Sequence, residues 1–240
     1  MADDWVAAGE RAWAKTEPSW GIWEVPDSEV RLLPEDMTGL DAIELGCGTG
    51  YVSAWMARRG ARVTGIDLSE RQLATARRLR DLHDLPVRFV HGDAEATGLP
   101  DASFDVAISE YGAAIWCDPY VWIPEAHRLL RPGGRLAFLG NHPLATVCAS
   151  PDGDAIDRTL HRSWFDLHRT DWTDAAVDPG GIEFALPLSG WFALLARVGF
   201  AVVALYEPRP RPDQEGTRFT VDAAWARAWP SELAIVARKR

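Results

Sequence analysis

The chain has 240 residues and a formal net charge of −10, from 25 basic and 35 acidic side chains. That length suits one well-packed domain. The acidic balance argues against a nucleic-acid partner, because such binding leans on Lys and Arg to neutralise phosphates.

Three cysteines point to free thiols in a reducing compartment. The acidic start Met1-Ala2-Asp3-Asp4-Trp5 lacks the basic region of a signal peptide, and no apolar run approaches membrane-spanning length. A cytoplasmic location without a membrane partner is the expectation.

Ala2 to Lys15 reads as a helix, followed by an irregular link over Glu17 to Trp23. Asp41 to Leu45 is a short apolar strand that runs into Gly46-Cys47-Gly48-Thr49-Gly50, and a helix starts at Tyr51 and ends near Gly60. Ala61 to Asp67 is a second strand ending in an acid. Ser69 is placed to cap the next helix, with Gln72 completing a capping box. Further strands are expected at Val87 to His91, Phe104 to Ser109 and Gly134 to Leu139, with a helix over Tyr120 to Leu130. Strands alternating with helices at this spacing predict a doubly wound α/β sheet.

The glycines at 46, 48 and 50 let the backbone turn sharply and approach a ligand closely, and the helix beyond presents unpaired N–H groups to it. The dinucleotide fingerprint G-x-G-x-x-G places its last glycine one residue further on than Gly50. The spacing therefore favours a different nucleoside-like cofactor. Asp67 ends the second strand, where a carboxylate can accept hydrogen bonds from ribose hydroxyls.

Five stretches occur in order across residues 40–140: Glu44 to Gly50, Gly65 to Ser69, Gly92 to Ala94, Ser103 to Ser109 and Arg128 to Leu136. On these the chain resembles the class I S-adenosylmethionine-dependent methyltransferases, of the small-molecule kind related to quinone-biosynthesis enzymes. The resemblance implies a Rossmann-like seven-stranded sheet, mostly parallel with an antiparallel last strand. Gly199 to Val203 and Glu232 to Arg238 look like its sixth and seventh strands. A single domain over residues 1–240 is implied: a helical lid (1–38), a cofactor-binding half (39–140), a substrate-region insertion (141–186) and C-terminal strands (187–240).

The same resemblance assigns roles toward S-adenosylmethionine. Gly46, Cys47, Gly48 and Gly50 would form the loop beneath its methionine part, with Glu44 orienting the amino group. Asp67 would hold the ribose diol, Leu68 would lie on the adenine, and Asp93 and Ala94 would bond its edge. Ser109 and Glu110 fall where cofactor and acceptor meet. No metal is expected.

The chain is rich in tryptophan, with 12 residues. Trp20 and Trp23 are candidates to line the pocket, where an aromatic face attracts the sulfonium, or else to anchor the N-terminal segment to the core. Core packing is favoured for Trp5 and Trp13. The stretch from Leu144 to Leu186 fits no sheet element and includes a turn-like Asp178-Pro179-Gly180-Gly181. On a helix, His161 and His168 would share a face near Trp164 and Phe165.

Methyl transfer is an in-line displacement, so alignment is the main task. A base matters only for a nucleophile that must lose a proton. His142, after the fifth strand, is the leading candidate, or else it braces its turn; Glu110 and Tyr111 follow it. The Asn/Asp-Pro-Pro-Tyr run of amide and nucleobase methyltransferases is replaced by Ser109-Glu110-Tyr111-Gly112, and Asp118-Pro119-Tyr120 reads as a helix start. A small, substantially apolar acceptor with an O, N or C nucleophile is expected. The alternatives are an enzyme using the bound cofactor for a non-methylating step, and a non-catalytic cofactor-binding module. A homodimer is compatible with the sequence.

Overall fold

The computed structural model describes residues 4–176 and 180–240, with side chains from residue 7 onward. The expected turn at Asp178-Pro179 and the packing of the Trp5 ring lie outside the described residues.

The N-terminal helix is α1 (Asp4–Ala14). The first half of the sheet comprises β1 (Asp41–Leu45), β2 (Arg62–Asp67), β3 (Val87–His91) and β4 (Phe104–Glu110). The second comprises β5 (Leu130–Asn141), β6 (Phe200–Tyr206) and β7 (Glu232–Lys239). Their order is β6-β7-β5-β4-β1-β2-β3, and β7 alone runs against its neighbours. The expected doubly wound sheet with an antiparallel last strand is what the chain forms.

The helices α2 (Tyr51–Arg58) and α3 (Glu70–Leu82) cover one face, and α4 (Pro119–Leu129) and α5 (Leu188–Val198) the other. Alternation decides which strand residues meet which layer. Ala42, Val106, Ile108, Ala234 and Val236 pack on the α2 side, whereas Ile43, Ala107, Ile235 and Ala237 face α4 and α5. By the same period of two, Glu44, Glu110 and Glu232 point to the α2 face at the carboxyl edge of the parallel strands.

Local chemistry explains the starts of the helices. Ser69 accepts from the Gln72 N–H at 3.3 Å, capping α3. The capping box is only half made. Asp67 Oδ1 takes the Ser69 N–H at 2.8 Å, so the Gln72 side chain has no role there, and its buried Oε1 has no partner among the described residues. Asp118 accepts from the Tyr120 N–H at 2.9 Å ahead of Pro119, so that run starts α4 as expected.

The insertion, which fits no sheet element in the sequence, contains a short hairpin, and the helix that would align His161 with His168 does not form. Residues 161–168 are irregular, and a two-stranded hairpin (Arg169–Asp171 with Ile182–Phe184) follows. Asp157 accepts from the Thr159 N–H at 2.6 Å and its hydroxyl at 3.0 Å, closing a local side-chain turn that no helix follows. His161 and His168 consequently share no face. His161 lies 3.3 Å from Asp157, and His168 lies 3.1 Å from Asp118 between the rings of Tyr120 and Phe184.

Candidate active site

The glycine loop joins β1 to α2, and all three of its glycines have positive φ: 72°, 51° and 78° at Gly46, Gly48 and Gly50. They differ in what surrounds them. A Cβ on Gly46 would sit 2.6 Å from the Ala113 nitrogen, and one on Gly50 would sit 2.5 Å from the Phe89 ring. Those two glycines exist for packing. A Cβ on Gly48 would meet nothing within 4 Å. Gly48 alone of the three offers bare backbone to a ligand.

Asp67 holds this loop in place. Its Oδ2 accepts from the Gly48 N–H at 2.7 Å, while Oδ1 caps Ser69. Each oxygen keeps a lone pair for a further donor. Leu68 beside it is 70% exposed, an apolar surface suited to a flat ring. Asp93 is exposed on the turn after β3, with Oδ1 on the Glu95 N–H at 2.8 Å, and Ala94 is buried under it. These residues fit a nucleoside laid along the ends of β1, β2 and β3.

Other expected cofactor residues serve the walls. Ser109 is fully buried; its hydroxyl donates to the Leu45 carbonyl at 2.8 Å and accepts from the Ala114 N–H at 3.1 Å. Burial pushes the Cys47 thiol well above its usual range, so it stays protonated beneath the loop. Glu44 Oε2 accepts from the Ser53 N–H and hydroxyl at 2.7 and 2.5 Å, which ties β1 to α2. Burial pushes the Glu44 carboxyl up to about 8.

That shift carries a sign. A raised folded-state value means the native state holds a proton the unfolded chain has released, so stability falls as pH rises from about 4.5 to about 8. Glu44→Gln should remove part of this slope, worth on the order of a few kcal/mol over that window. Thermal melts at several pH values check this; parallel profiles for variant and wild type would contradict it.

Trp20 and Trp23 act as anchors. Both are fully buried, with indole N–H groups on Asp27 Oδ1 (2.8 Å) and the Ser231 hydroxyl (2.9 Å). Trp13, also buried, donates to the Thr49 carbonyl at 2.8 Å and so locks α1 onto the glycine loop.

Between these anchors, the segment around Gly21 lies over the ends of β4 and β7. The Gly21 N–H donates to Glu110 Oε1 and the Ile22 N–H to Glu232 Oε1, each at 2.9 Å. The Tyr51 hydroxyl donates to Glu110 Oε2, and the Tyr111 hydroxyl to Glu232 Oε1 at 2.7 Å. Burial raises the Glu110 carboxyl, pushes Glu232 up to about 8, and holds both tyrosines well above their usual range. Tyr51 and Glu232 were missing from the sequence reading. The one available signal was an acid opening the apolar run Glu232 to Ala237.

His142 stands apart from this cluster. It caps the short helix Pro143–Cys148, and its Nδ1 accepts from the Leu144 N–H at 3.0 Å. Nε2 lies 3.3 Å from Glu207 Oε1, and burial lowers the imidazole pKa. The basic lone pair is thus engaged by the backbone, which is the turn-bracing arrangement.

The methyltransferase domain pattern matches residues 43–138, the span that carries the loop, Asp67, Asp93 and Glu110. Over that span the chain is similar to the S-adenosylmethionine-dependent methyltransferases. A malonyl-[acyl-carrier protein] O-methyltransferase from Pectobacterium atrosepticum is 37% identical over 62% of this chain and 53% of its own length. A ubiquinone biosynthesis O-methyltransferase from Ruegeria pomeroyi is 32% identical over 58% and 57%. The chain thus spans about half the length of these curated relatives. The crystal structure of an S-adenosylmethionine-dependent methyltransferase from Mesorhizobium loti, 28% identical, superposes with a TM-score of 0.68 over 88% of this chain and 96% of that one. The cofactor of this methyltransferase family is S-adenosylmethionine. Among the described residues, no helix is long and apolar enough to cross a membrane.

Proposed function

We propose that the chain transfers the methyl group of S-adenosylmethionine to a small-molecule acceptor through an O, N or C nucleophile. The observation that carries this reading is the Asp67–Gly48 bridge, which holds a loop with one glycine bare toward the edge and with Leu68 and Asp93 open beside it. Gly48, Asp67, Leu68 and Asp93 would hold the cofactor, which supplies a methyl group already activated by positive sulfur. Glu110 and Tyr111, at the end of β4, would face the acceptor, and residues 1–38 would close over both. The proposal gives residues 141–186 to acceptor selection. It extends to a cytoplasmic enzyme needing neither nucleic acid nor membrane, and light scattering decides between monomer and homodimer.

Incubation with methyl-labelled cofactor and a panel of small O, N and C nucleophiles tests the reading. Labelled product from at least one acceptor is expected. Saturable cofactor binding with no labelled product from any acceptor would overturn methyl transfer in favour of a non-methylating use of the site.

A further inference from the structure

Glu44, Glu110 and Glu232 bring three carboxyl groups to one face of the sheet, and no Lys or Arg forms a salt bridge with them among the described residues. Lys15 is the cation that acts on Glu110, and its ammonium is committed to Ser19 and Glu24 at 2.8 Å each. Glu44 is satisfied by Ser53, and Glu110 by Gly21 and Tyr51.

Glu232 differs from both. It is 0% exposed, and its Oε2 has no hydrogen-bond partner among the described residues. A buried polar atom left unpaired requires an explanation, because such groups are otherwise almost always satisfied. That oxygen lies over the Gly21 backbone, where an added Cβ would come within 2.6 Å of it. Tyr111, which donates to the other oxygen, holds φ at 54°, a conformation that a bulky residue keeps only under constraint and that clusters at active sites.

On the methyl-transfer reading above, we propose that Glu232 is the acceptor-side carboxylate and that the acceptor is an amine. Burial keeps the unliganded Glu232 carboxyl protonated, and a hydroxyl would bring Oε2 a partner without the charge needed to ionise it. An ammonium brings both donor and charge, which makes it the better match to a desolvated carboxylate. The Ile22 N–H occupies Glu232 Oε1 and the Gly21 backbone covers Oε2, so admitting the acceptor requires this segment to lift. In the reaction the ammonium passes one proton to the Glu232 carboxylate. The freed nitrogen lone pair forms the N–C bond to the methyl carbon, the C–S electron pair stays on sulfur, and a methylammonium and a neutral thioether leave. Burial raises the Glu232 carboxyl toward the range where this exchange runs near neutral pH.

Calorimetry on the full chain loaded with S-adenosylhomocysteine tests the inference with three matched pairs: butylamine and butanol, benzylamine and benzyl alcohol, tryptamine and tryptophol. At least one amine should bind about tenfold or more tighter than its alcohol. Glu232→Gln should abolish that preference while S-adenosylhomocysteine affinity stays within about twofold. No amine preference in any pair, or a preference that survives Glu232→Gln, overturns the inference. So does a large loss of S-adenosylhomocysteine affinity, which would give the carboxylate to the cofactor. If Glu232→Gln does not fold, Glu232→Asp should weaken the amine more than its alcohol; equal weakening overturns the assignment. Failure of the wild type to bind S-adenosylhomocysteine at all would instead sink the methyltransferase reading itself.

Discussion

Replacing Asp67 with alanine should weaken S-adenosylhomocysteine binding by about 100-fold or more, roughly 3 kcal/mol. Two losses add. Hydrogen bonds to a charged acceptor are worth about 1.5–3 kcal/mol each, and a ribose diol would make two of them. The Gly48 N–H, now 2.7 Å from Oδ2, would also lose the partner that fixes the loop. Asp67, Gly48 and Ser69 are all only partly buried, so water can reach the freed N–H groups and the fold should survive. Calorimetric affinity within about threefold of wild type, with an unchanged melting curve, would remove Asp67 from the site.

The second large effect separates two glycines that look equivalent in sequence. Gly46→Ala should cost about 3 kcal/mol or more of stability, from overpacking plus an unfavourable left-handed backbone. The obstacles are the backbone atoms of Ala113 and Gly112, at 2.6 and 2.7 Å from the added carbon, and backbone cannot swing aside. For a domain of this size, that is a fall of about 10 °C in melting temperature. Gly48→Ala meets open space, so it should pay only the conformational penalty of about 1–2 kcal/mol while losing cofactor affinity. Thermal melts and calorimetry on both variants check the contrast. Equal destabilisation with equal affinity would mean that the loop does not divide its glycines in this way.

Much of the architecture was legible because local signals and pattern agreed. The run Asp41 to Gly50 announced strand, turn and helix together, Ser69 announced α3, and Asp118-Pro119 announced α4. The site was legible only where its residues follow the strands that build it, as Asp67 and Glu110 do. Tyr51 and Glu232 escaped because their roles depend on contacts across the chain: Tyr51 meets Glu110 59 positions on, and Glu232 meets Ile22 210 positions away. The tryptophans illustrate the same limit. A sequence shows that Trp20 and Trp23 are large and apolar, but it is Asp27 and Ser231 accepting their N–H groups that makes them anchors. In the insertion, the spacing of His161 and His168 shows what a helix would bring together but not whether one forms, and the chain there is irregular before a short hairpin.

The three buried carboxyls recast the glycine loop as one half of a larger edge. On one side lie Gly48, Asp67 and Asp93 with the exposed apolar face of Leu68 beside them; on the other lie Glu110 and Glu232, closed under Gly21 and Ile22. The account rests on the first side holding a nucleoside attached to an amino acid rather than a dinucleotide. Side-by-side titration of the purified chain with S-adenosylhomocysteine and with NAD tests that most directly. Saturable one-to-one binding of S-adenosylhomocysteine and no heat from NAD is the predicted result; binding of NAD without S-adenosylhomocysteine would contradict the account.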